Sequence, residues 1–216
     1  MNMNYENNNI AHIRGTVVTE PTFSHEILGE GFYDLTVKVP RLSEQFDFLP
    51  VTISERLLGE TKVGDTLSID GQFRSYNKLE EGKSKLILTL FAKELITEED
   101  DLNSNTITLT GYICKSPIYR TTPFGREICD CLIAVNRAYN KSDYIPCIAW
   151  GRNARFVKNL DVGSKVTITG RIQSREYQKK HDENNIETKT AYEVSISSIG
   201  INADDVSIDE VDFVEN

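Results

Sequence analysis

Apolar and polar residues alternate along many short stretches of this chain, a period of two that predicts β-strands with one buried face. The stretch DYIPCIAW, Asp143 to Trp150, shows the pattern clearly. Ile145, Cys147 and Ala149 share the face that suits a core. The opposite, outer face carries Tyr144, Pro146, Ile148 and Trp150.

The same frame occurs twice in the chain. DFLPVTI at Asp47 recurs as DYIPCIA at Asp143, 96 residues later, and the same offset pairs Gly15 with Gly111. Further along the chain the offset becomes 99, so the second copy carries three additional residues between its third and fourth strands. Several matches at one offset indicate two copies of a single structural unit.

Each copy contains five short strand patterns with one helical pattern between the third and the fourth. In the second copy that helical pattern is GRNARFVKNLDVG, where Ala154, Val157 and Leu160 recur at helical spacing. Five strands with this helix are the layout of a small Greek-key barrel, the OB-fold. Gly111 and Gly170 are expected where strands cross closely. We therefore predict an all-β protein of two tandem OB-folds, each a five-stranded Greek-key barrel with one short helix, followed by a short acidic tail.

This organisation predicts four segments. The first barrel covers residues 1–96 and an acidic linker covers 97–104. The second barrel covers 105–200, and the acidic C-terminal tail covers 201–216.

Charge is distributed unevenly over these segments. The net charge of the 216 residues is −9, which by itself argues against a nucleic-acid partner. The first barrel carries −4, the linker −4 and the tail −6, but the second barrel carries +5. One half of an acidic protein is therefore basic.

Composition excludes several other classes of protein. With 39% apolar and 26% charged residues the chain resembles ordinary folded proteins, and no apolar run reaches the length of a membrane span. The N-terminal MNMNYENNNI is polar where a signal peptide has an apolar segment, so we expect a cytoplasmic protein without membrane contact.

Candidate chemistry is sparse. The cysteines lie in apolar runs without zinc-ligand spacing, so we predict buried free thiols and no metal site. His12, His25 and His181 have no acid or nucleophile at a meaningful spacing. No phosphate-binding loop occurs, so we expect no catalytic residues and no cofactor.

The outer faces of the second copy carry aromatic and basic residues instead. In KVTITGRIQSREYQK, alternation points Val166, Ile168, Gly170 and Ile172 inward. Tyr139 follows Arg137 at the end of another strand. Aromatic platforms beside positive charge are the features that bind unpaired bases and phosphates without reading sequence. The residues expected to point outward on this late strand are Arg171, Gln173, Arg175 and Tyr177.

The second copy resembles the bacterial single-stranded-DNA-binding protein (SSB) family over about 95 residues. The motifs are the early G-x-x-x-x-x-P, the strand end LIAVNR, the strand YIPCIAWG and the strand GRIQSR. This resemblance implies an OB-fold, base stacking on Tyr139, Tyr144, Trp150 and Tyr177, and a role in DNA replication, recombination or repair. It also implies four barrels around the DNA, which a chain with two barrels reaches as a homodimer.

The first copy departs from this pattern. Ser54 stands at the counterpart of Trp150 and Ser43 at that of Tyr139, whereas Phe48 matches Tyr144. We therefore expect this barrel to add little DNA affinity and to serve mainly in assembly. The outward positions of its late strand are Gln72, Arg74, Tyr76 and Lys78.

The chain end also departs from the family. The end of the chain, DEVDFVEN, lacks the Pro-Phe tip with which family tails dock on replication proteins, so recruitment of such proteins is in doubt. The tail is either a solvated end or a competitor of DNA for the basic groove.

Thirteen residues form the predicted DNA site, and more than one interpretation of their role remains open. The arginines contact phosphates or are ordinary solvated residues, and stacking alone does not separate DNA from RNA. One rival is an OB-fold adaptor in replication restart, with the aromatics at a protein interface; another is a nuclease on a related barrel. The predicted site comprises Tyr139, Tyr144, Trp150, Tyr177, Arg137, Arg152, Arg171, Arg175, Lys179, Lys180, Phe48, Arg74 and Tyr76.

Overall fold

The computed structural model describes residues 7–80, 82–96, 104–182 and 185–201. Most of the predicted acidic linker and all but the first residue of the predicted tail lie outside these ranges. Neither helix within them is long and apolar enough to cross a membrane.

The first copy folds into strands β1 to β6 and one short helix. Helix α1 begins after Ser54, whose side-chain oxygen accepts a hydrogen bond from the backbone N–H of Leu57. The elements are β1 (Asn9–Val17), β2 (Thr22–Ile27), β3 (Glu30–Pro40), β4 (Phe46–Ser54), α1 (Glu55–Leu58), β5 (Thr66–Glu80) and β6 (Lys83–Leu95).

The second copy repeats this order with β7 to β12. Its helix is two residues longer, and Ala154 and Val157 on it are buried against the barrel. The elements are β7 (Asn105–Ile113), β8 (Ile118–Thr121), β9 (Glu127–Arg137), β10 (Lys141–Trp150), α2 (Arg152–Val157), β11 (Lys165–Asp182) and β12 (Asn185–Ile201).

Strand pairing closes each copy into a barrel. β1 pairs with both β3 and β5, which closes the order β1-β3-β4-β6-β5, and β7 closes the second barrel with β9 and β11 in the same way. The predicted tandem OB-folds, each with five barrel strands and one helix, are confirmed. Each copy also has a short strand that we did not predict, β2 or β8, which forms a hairpin with the next strand.

Glycines lie where the barrels close tightly, as predicted for Gly111 and Gly170. A Cβ at Gly111 would collide with the backbone oxygen of Ala134, and one at Gly170 with that of Ser195. These positions therefore accept only glycine, because the obstacle is backbone and cannot move aside.

On β10 the core follows the predicted alternation except at Ile148. Ile145, Cys147 and Ala149 are buried, as expected. The prediction that Ile148 faces outward to solvent is wrong, since it is only 5% exposed. At this residue β10 has a strand on each side, with Asp130 of β9 and Ser195 of β12 paired to Ile148.

The cysteines are free thiols, and Cys129, Cys131 and Cys147 are buried. Burial is the largest cause that raises the pKa of Cys129 to about 11. A thiol with so high a pKa stays protonated and unreactive at neutral pH.

The two barrels are joined edge to edge through β1 and β7, which pair antiparallel within one 12-stranded sheet. Ala11 lies opposite Ile107, its own equivalent 96 residues later. An antiparallel pair of equivalent residues defines a local two-fold axis, so the chain forms an internal pseudo-dimer.

Candidate nucleic-acid interface

Strand β10 presents two aromatic side chains on the outside of the second barrel. The exposed fraction is 44% for Tyr144 and 38% for Trp150. Their positions are fixed by continuous pairing of β10 with β9, from Lys141 opposite Arg137 to Trp150 opposite Ile128. Ordered strands therefore hold both rings with part of each available to a flat partner.

Tyr139 lies at the tip of the β9–β10 hairpin and is 93% exposed. Its φ of 60° and that of Asn140, 54°, place both in the left-handed region. This conformation costs a residue with a side chain about 1–2 kcal/mol. Two consecutive left-handed residues are typical of tight hairpin turns, and this turn projects the ring of Tyr139 into solvent.

Tyr177 and Arg175 are exposed on β11, as the alternation predicts. The prediction that Gln173 is exposed there is wrong, because it is buried with its side-chain amide donating to Glu193 at 2.7 Å. Glu193 also lies 3.7 Å from the Arg175 guanidinium. Gln173 and Glu193 lie opposite each other in the pairing of β11 with β12 and are both buried, whereas Arg175 and Tyr177 further along β11 are exposed.

Arg171 lies at a contact between the two barrels. Its guanidinium donates to the buried carboxylate of Asp47 at 3.2 Å. Arg41 donates to the same carboxylate through Nε at 2.8 Å, and the backbone N–H of Ser174 donates to it at 2.7 Å. Arg171 therefore joins the barrels, and the Asp47 carboxylate is saturated with donors.

The equivalent contact around Asp143 is less complete. Asp143 Oδ1 accepts from the backbone N–H of Ser75 at 2.8 Å and from Arg137 at 3.2 Å. Its Oδ2 is buried without a hydrogen-bond partner among the described residues. Burial is the largest influence and raises the pKa of Asp143, against the lowering effects of Ser75 and Arg137.

These contacts bring aromatic residues of one barrel beside strands of the other. The backbone N–H of Tyr144 donates to Ser75 Oγ at 2.7 Å, beside the exposed Tyr76. Likewise the N–H of Phe48 donates to Ser174 Oγ at 3.0 Å, beside Arg175. Tyr76 and Phe48 of the first barrel thus lie next to strands that carry the aromatic face of the second barrel. We use this term for the exposed rings of Tyr139, Tyr144, Trp150 and Tyr177.

The rest of the first barrel's outer face differs chemically from the second. Arg74 lies 3.8 Å over the Phe91 ring rather than extending into solvent. Gln72, predicted to face outward, is buried and accepts from Arg74. A cavity of about 330 Å³ opens beside Tyr76, and its lining combines threonines and apolar residues with two carboxylates, Glu20 and Asp34. Negative charge makes this cavity unsuited to phosphate.

The remaining predicted basic residues belong to α2 and to the end of β11. Arg152 is exposed at the start of α2, directly after Trp150 and Gly151. The side chains of Lys179 and Lys180 lie outside the described residues.

The most exposed phenylalanine among the described residues escaped the sequence analysis. Phe124 lies at the tip of the β8–β9 hairpin and is 92% exposed. It follows Pro123 in a stretch with no alternation, so strand periodicity could not identify it. A sequence signal existed nonetheless, since Phe124-Gly125 repeats Leu28-Gly29 at the offset of 96.

The structure also brings together a Ser–His–Asp set in the first barrel that no spacing suggested. His12 lies 2.5 Å from Asp70 through Nδ1 and 3.4 Å from the Ser68 hydroxyl through Nε2. Ser68 is only 8% exposed, so the arrangement does not present a nucleophile to solvent. These hydrogen bonds link β1 to β5, and we interpret the set as structural.

Fold and surface together define a tandem OB-fold protein with an aromatic, partly basic face on its second barrel. Residues 104–201 match the Single-strand binding protein family. Single-stranded DNA-binding protein 1 of Staphylococcus aureus is 37% identical over 83 residues, which are 35% of this chain and 50% of that protein. Single-stranded DNA-binding protein A of Bacillus subtilis is 35% identical over 83 residues, 35% of this chain and 48% of that one.

A solved structure resembles the whole chain. The single-stranded DNA binding protein of Thermus aquaticus, crystallised as a deletion variant, superimposes with a TM-score of 0.72 and 18% identity, over 94% of this chain and 98% of that one. This likeness supports the two-barrel fold. The chain spans about half the length of the curated relatives it matches. The family match covers the second barrel, and the likeness of the first barrel to known proteins is one of fold.

Proposed function

We propose that this protein binds single-stranded DNA without strong sequence preference and protects it during replication, recombination or repair. The observation that carries the proposal is the set of exposed aromatic rings on the second barrel, Tyr139, Tyr144, Trp150 and Tyr177. Such rings stack with any base, since every base has a flat face. The names of the relatives, single-stranded DNA-binding proteins, support the same substrate.

The basic residues divide into two roles in this proposal. Arg171 and Arg137 support the contact between the barrels through Asp47 and Asp143, and Arg171 also donates to Gln173. Arg152, Arg175, Lys179 and Lys180 contact phosphates. The net charge of +5 over residues 105–200 supports this division, because phosphate binding needs a positive surface even in an acidic protein.

The first barrel contributes at its borders only. Phe48 and Tyr76 extend the stacking surface, and Arg74, which lies over Phe91, supports it from beneath. The two carboxylates in the cavity beside Tyr76, Glu20 and Asp34, disfavour the DNA backbone there.

We also propose the four-segment division at 1–96, 97–104, 105–200 and 201–216, and a homodimer with four barrels in the cytoplasm. The internal pseudo-dimer supports this assembly, since two copies give the number of barrels that the family resemblance implies. Light scattering of the full chain should give about twice 24.5 kDa. The mass of a single chain would contradict the homodimer.

Binding to labelled oligo(dT) should weaken as salt rises. The logarithm of the binding constant should fall linearly with the logarithm of salt concentration, with a slope of about −0.7 for each phosphate neutralised. Fluorescence anisotropy at several salt concentrations measures the slope. Replacing Arg152 by alanine should make it shallower by about 0.7, because one phosphate contact is lost.

Arg56 provides the matched control. It is the equivalent of Arg152 in the first copy, 96 residues earlier, and is also exposed on its helix. Arg56→Ala should leave the slope unchanged. Tight binding that does not respond to salt, or equal effects of the two variants, would contradict the assignment of phosphate contacts to the second barrel.

A further inference from the structure

We propose that Phe124, at the tip of the β8–β9 hairpin, is a fifth stacking platform that continues the DNA path beyond Trp150. This inference rests on the proposed function. It adds to that function a contact that neither strand alternation nor the family resemblance identified.

The hairpin tip is a defined turn. The backbone N–H of Thr122 donates to the carbonyl of Arg126 at 2.8 Å, and the N–H of Gly125 donates back to the carbonyl of Thr122 at 2.9 Å. Gly125 has a φ of 75°, which glycine adopts without strain. The turn is thus closed by its own backbone, and Phe124 is held at its outermost point.

The turn does not need the ring. Phe124 is 92% exposed, and no ring contact is recorded for it among the described residues. Its equivalent in the first copy, Leu28, is also fully exposed and precedes a glycine, although the β2–β3 turn is shorter and Leu28 itself has a φ of 52°. An exposed aromatic ring that packs against nothing in its own chain is available for a flat partner.

The tip lies at the Trp150 end of the aromatic face. Trp150 pairs with Ile128, and the N–H of Gly151 donates to the carbonyl of Glu127 at 2.9 Å. Phe124 is only three residues before Glu127, so the tip extends about 10 Å beyond Trp150 at the usual rise of a strand. Tyr139 occupies the other end of the same hairpin pair. The aromatics therefore follow one direction from Tyr139 through Tyr144 and Trp150 to Phe124.

Two exposed arginines lie near the Trp150 end of the aromatic face. Arg126 next to the tip and Arg152 next to Trp150 are both exposed, and no ion pair is recorded for either in the described ranges. By contrast, Arg120 is paired with Asp130 at 2.7 Å and Arg155 lies 3.6 Å from Glu127. Two free guanidinium groups beside an exposed ring suit a nucleotide, which offers a phosphate and a base together.

The first test compares Phe124→Ala with Leu28→Ala in the full chain. Both remove an exposed apolar side chain from the tip of the corresponding hairpin, so neither should change thermal unfolding. Phe124→Ala should weaken binding to long oligo(dT) about tenfold, whereas Leu28→Ala should leave it unchanged. Phe124→Leu should behave like Phe124→Ala if stacking rather than apolar area is responsible. Unchanged affinity in Phe124→Ala would overturn the inference.

The second test separates this inference from the proposed function. In a protein carrying Trp150→Phe and Phe124→Trp, the indole at position 124 is the only one, because the natural chain has a single tryptophan. Addition of oligo(dT) should quench its emission. Binding detected by anisotropy without quenching would overturn the Phe124 platform and leave the proposed function standing. Absence of binding by the unmodified protein would overturn both.

Discussion

Replacing Trp150 by alanine should weaken binding to oligo(dT) by about 5-fold to 150-fold. Stacking of one base on an aromatic side chain is worth about 1–3 kcal/mol, and Trp150 has the largest ring on the face. The side chain is 38% exposed, so its inner part also packs on the barrel, and the variant must be checked for folding by thermal unfolding. Anisotropy titration at fixed salt measures the loss of affinity.

Two further variants serve as controls for this result. Trp150→Phe keeps a flat ring and should retain most of the affinity. Phe156 has the same exposed fraction, 38%, but lies on α2 rather than on the strand face, so Phe156→Ala should leave binding unchanged. If Trp150→Ala binds as tightly as the unmodified protein, the bases do not stack on β10.

Replacing Asp47 by asparagine should lower the free energy of unfolding by about 3 kcal/mol. Breaking a buried ion pair costs about 3–5 kcal/mol, and the lower end applies because Arg41 and Arg171 both reach solvent. The carboxylate accepts from both arginines and from the Ser174 N–H, whereas the amide would direct a donor at a guanidinium. Urea unfolding followed by circular dichroism measures the loss.

Asp143→Asn is the matched control, since Asp143 is the equivalent of Asp47 in the second copy. Its Oδ2 has no partner among the described residues, and burial already raises its pKa, so its charge is costly. Asparagine can still accept from the Ser75 N–H through its oxygen. We expect a loss of at most about 1 kcal/mol. Equal losses in the two variants would show that the difference in donors around the carboxylates has no energetic consequence.

The barrels could be predicted because the repeat and the alternation describe the same strands. Equivalent residues at an offset of 96, such as Asp47 and Asp143, aligned the first three predicted strands of the two copies, and an offset of 99 aligned the later ones. The hairpin strands β2 and β8 escaped prediction for a physical reason. All six residues of β2 are exposed. Because the strand buries neither face, its sequence has no alternation of apolar and polar residues that could predict it.

The outward positions of Tyr144, Trp150 and Tyr177 followed from alternation alone. The state of the arginines did not, because the partner of Arg171 is Asp47, 124 residues away in the sequence and in the other barrel. The predictions that Gln173 and Ile148 are exposed were wrong for a related reason. Alternation gives the side of a strand but not what neighbouring strands place over it, and Glu193 covers Gln173 from β12.

The most direct test of the central claim uses the single tryptophan of the chain. The unmodified protein would be titrated with oligo(dT) at two salt concentrations while Trp150 emission is followed. We predict strong quenching that saturates and that requires more oligonucleotide at the higher salt, because bases stack on Trp150 and phosphates pair with arginines nearby. Saturable binding seen by anisotropy with no change in Trp150 emission would contradict the assignment of the DNA site to the second barrel.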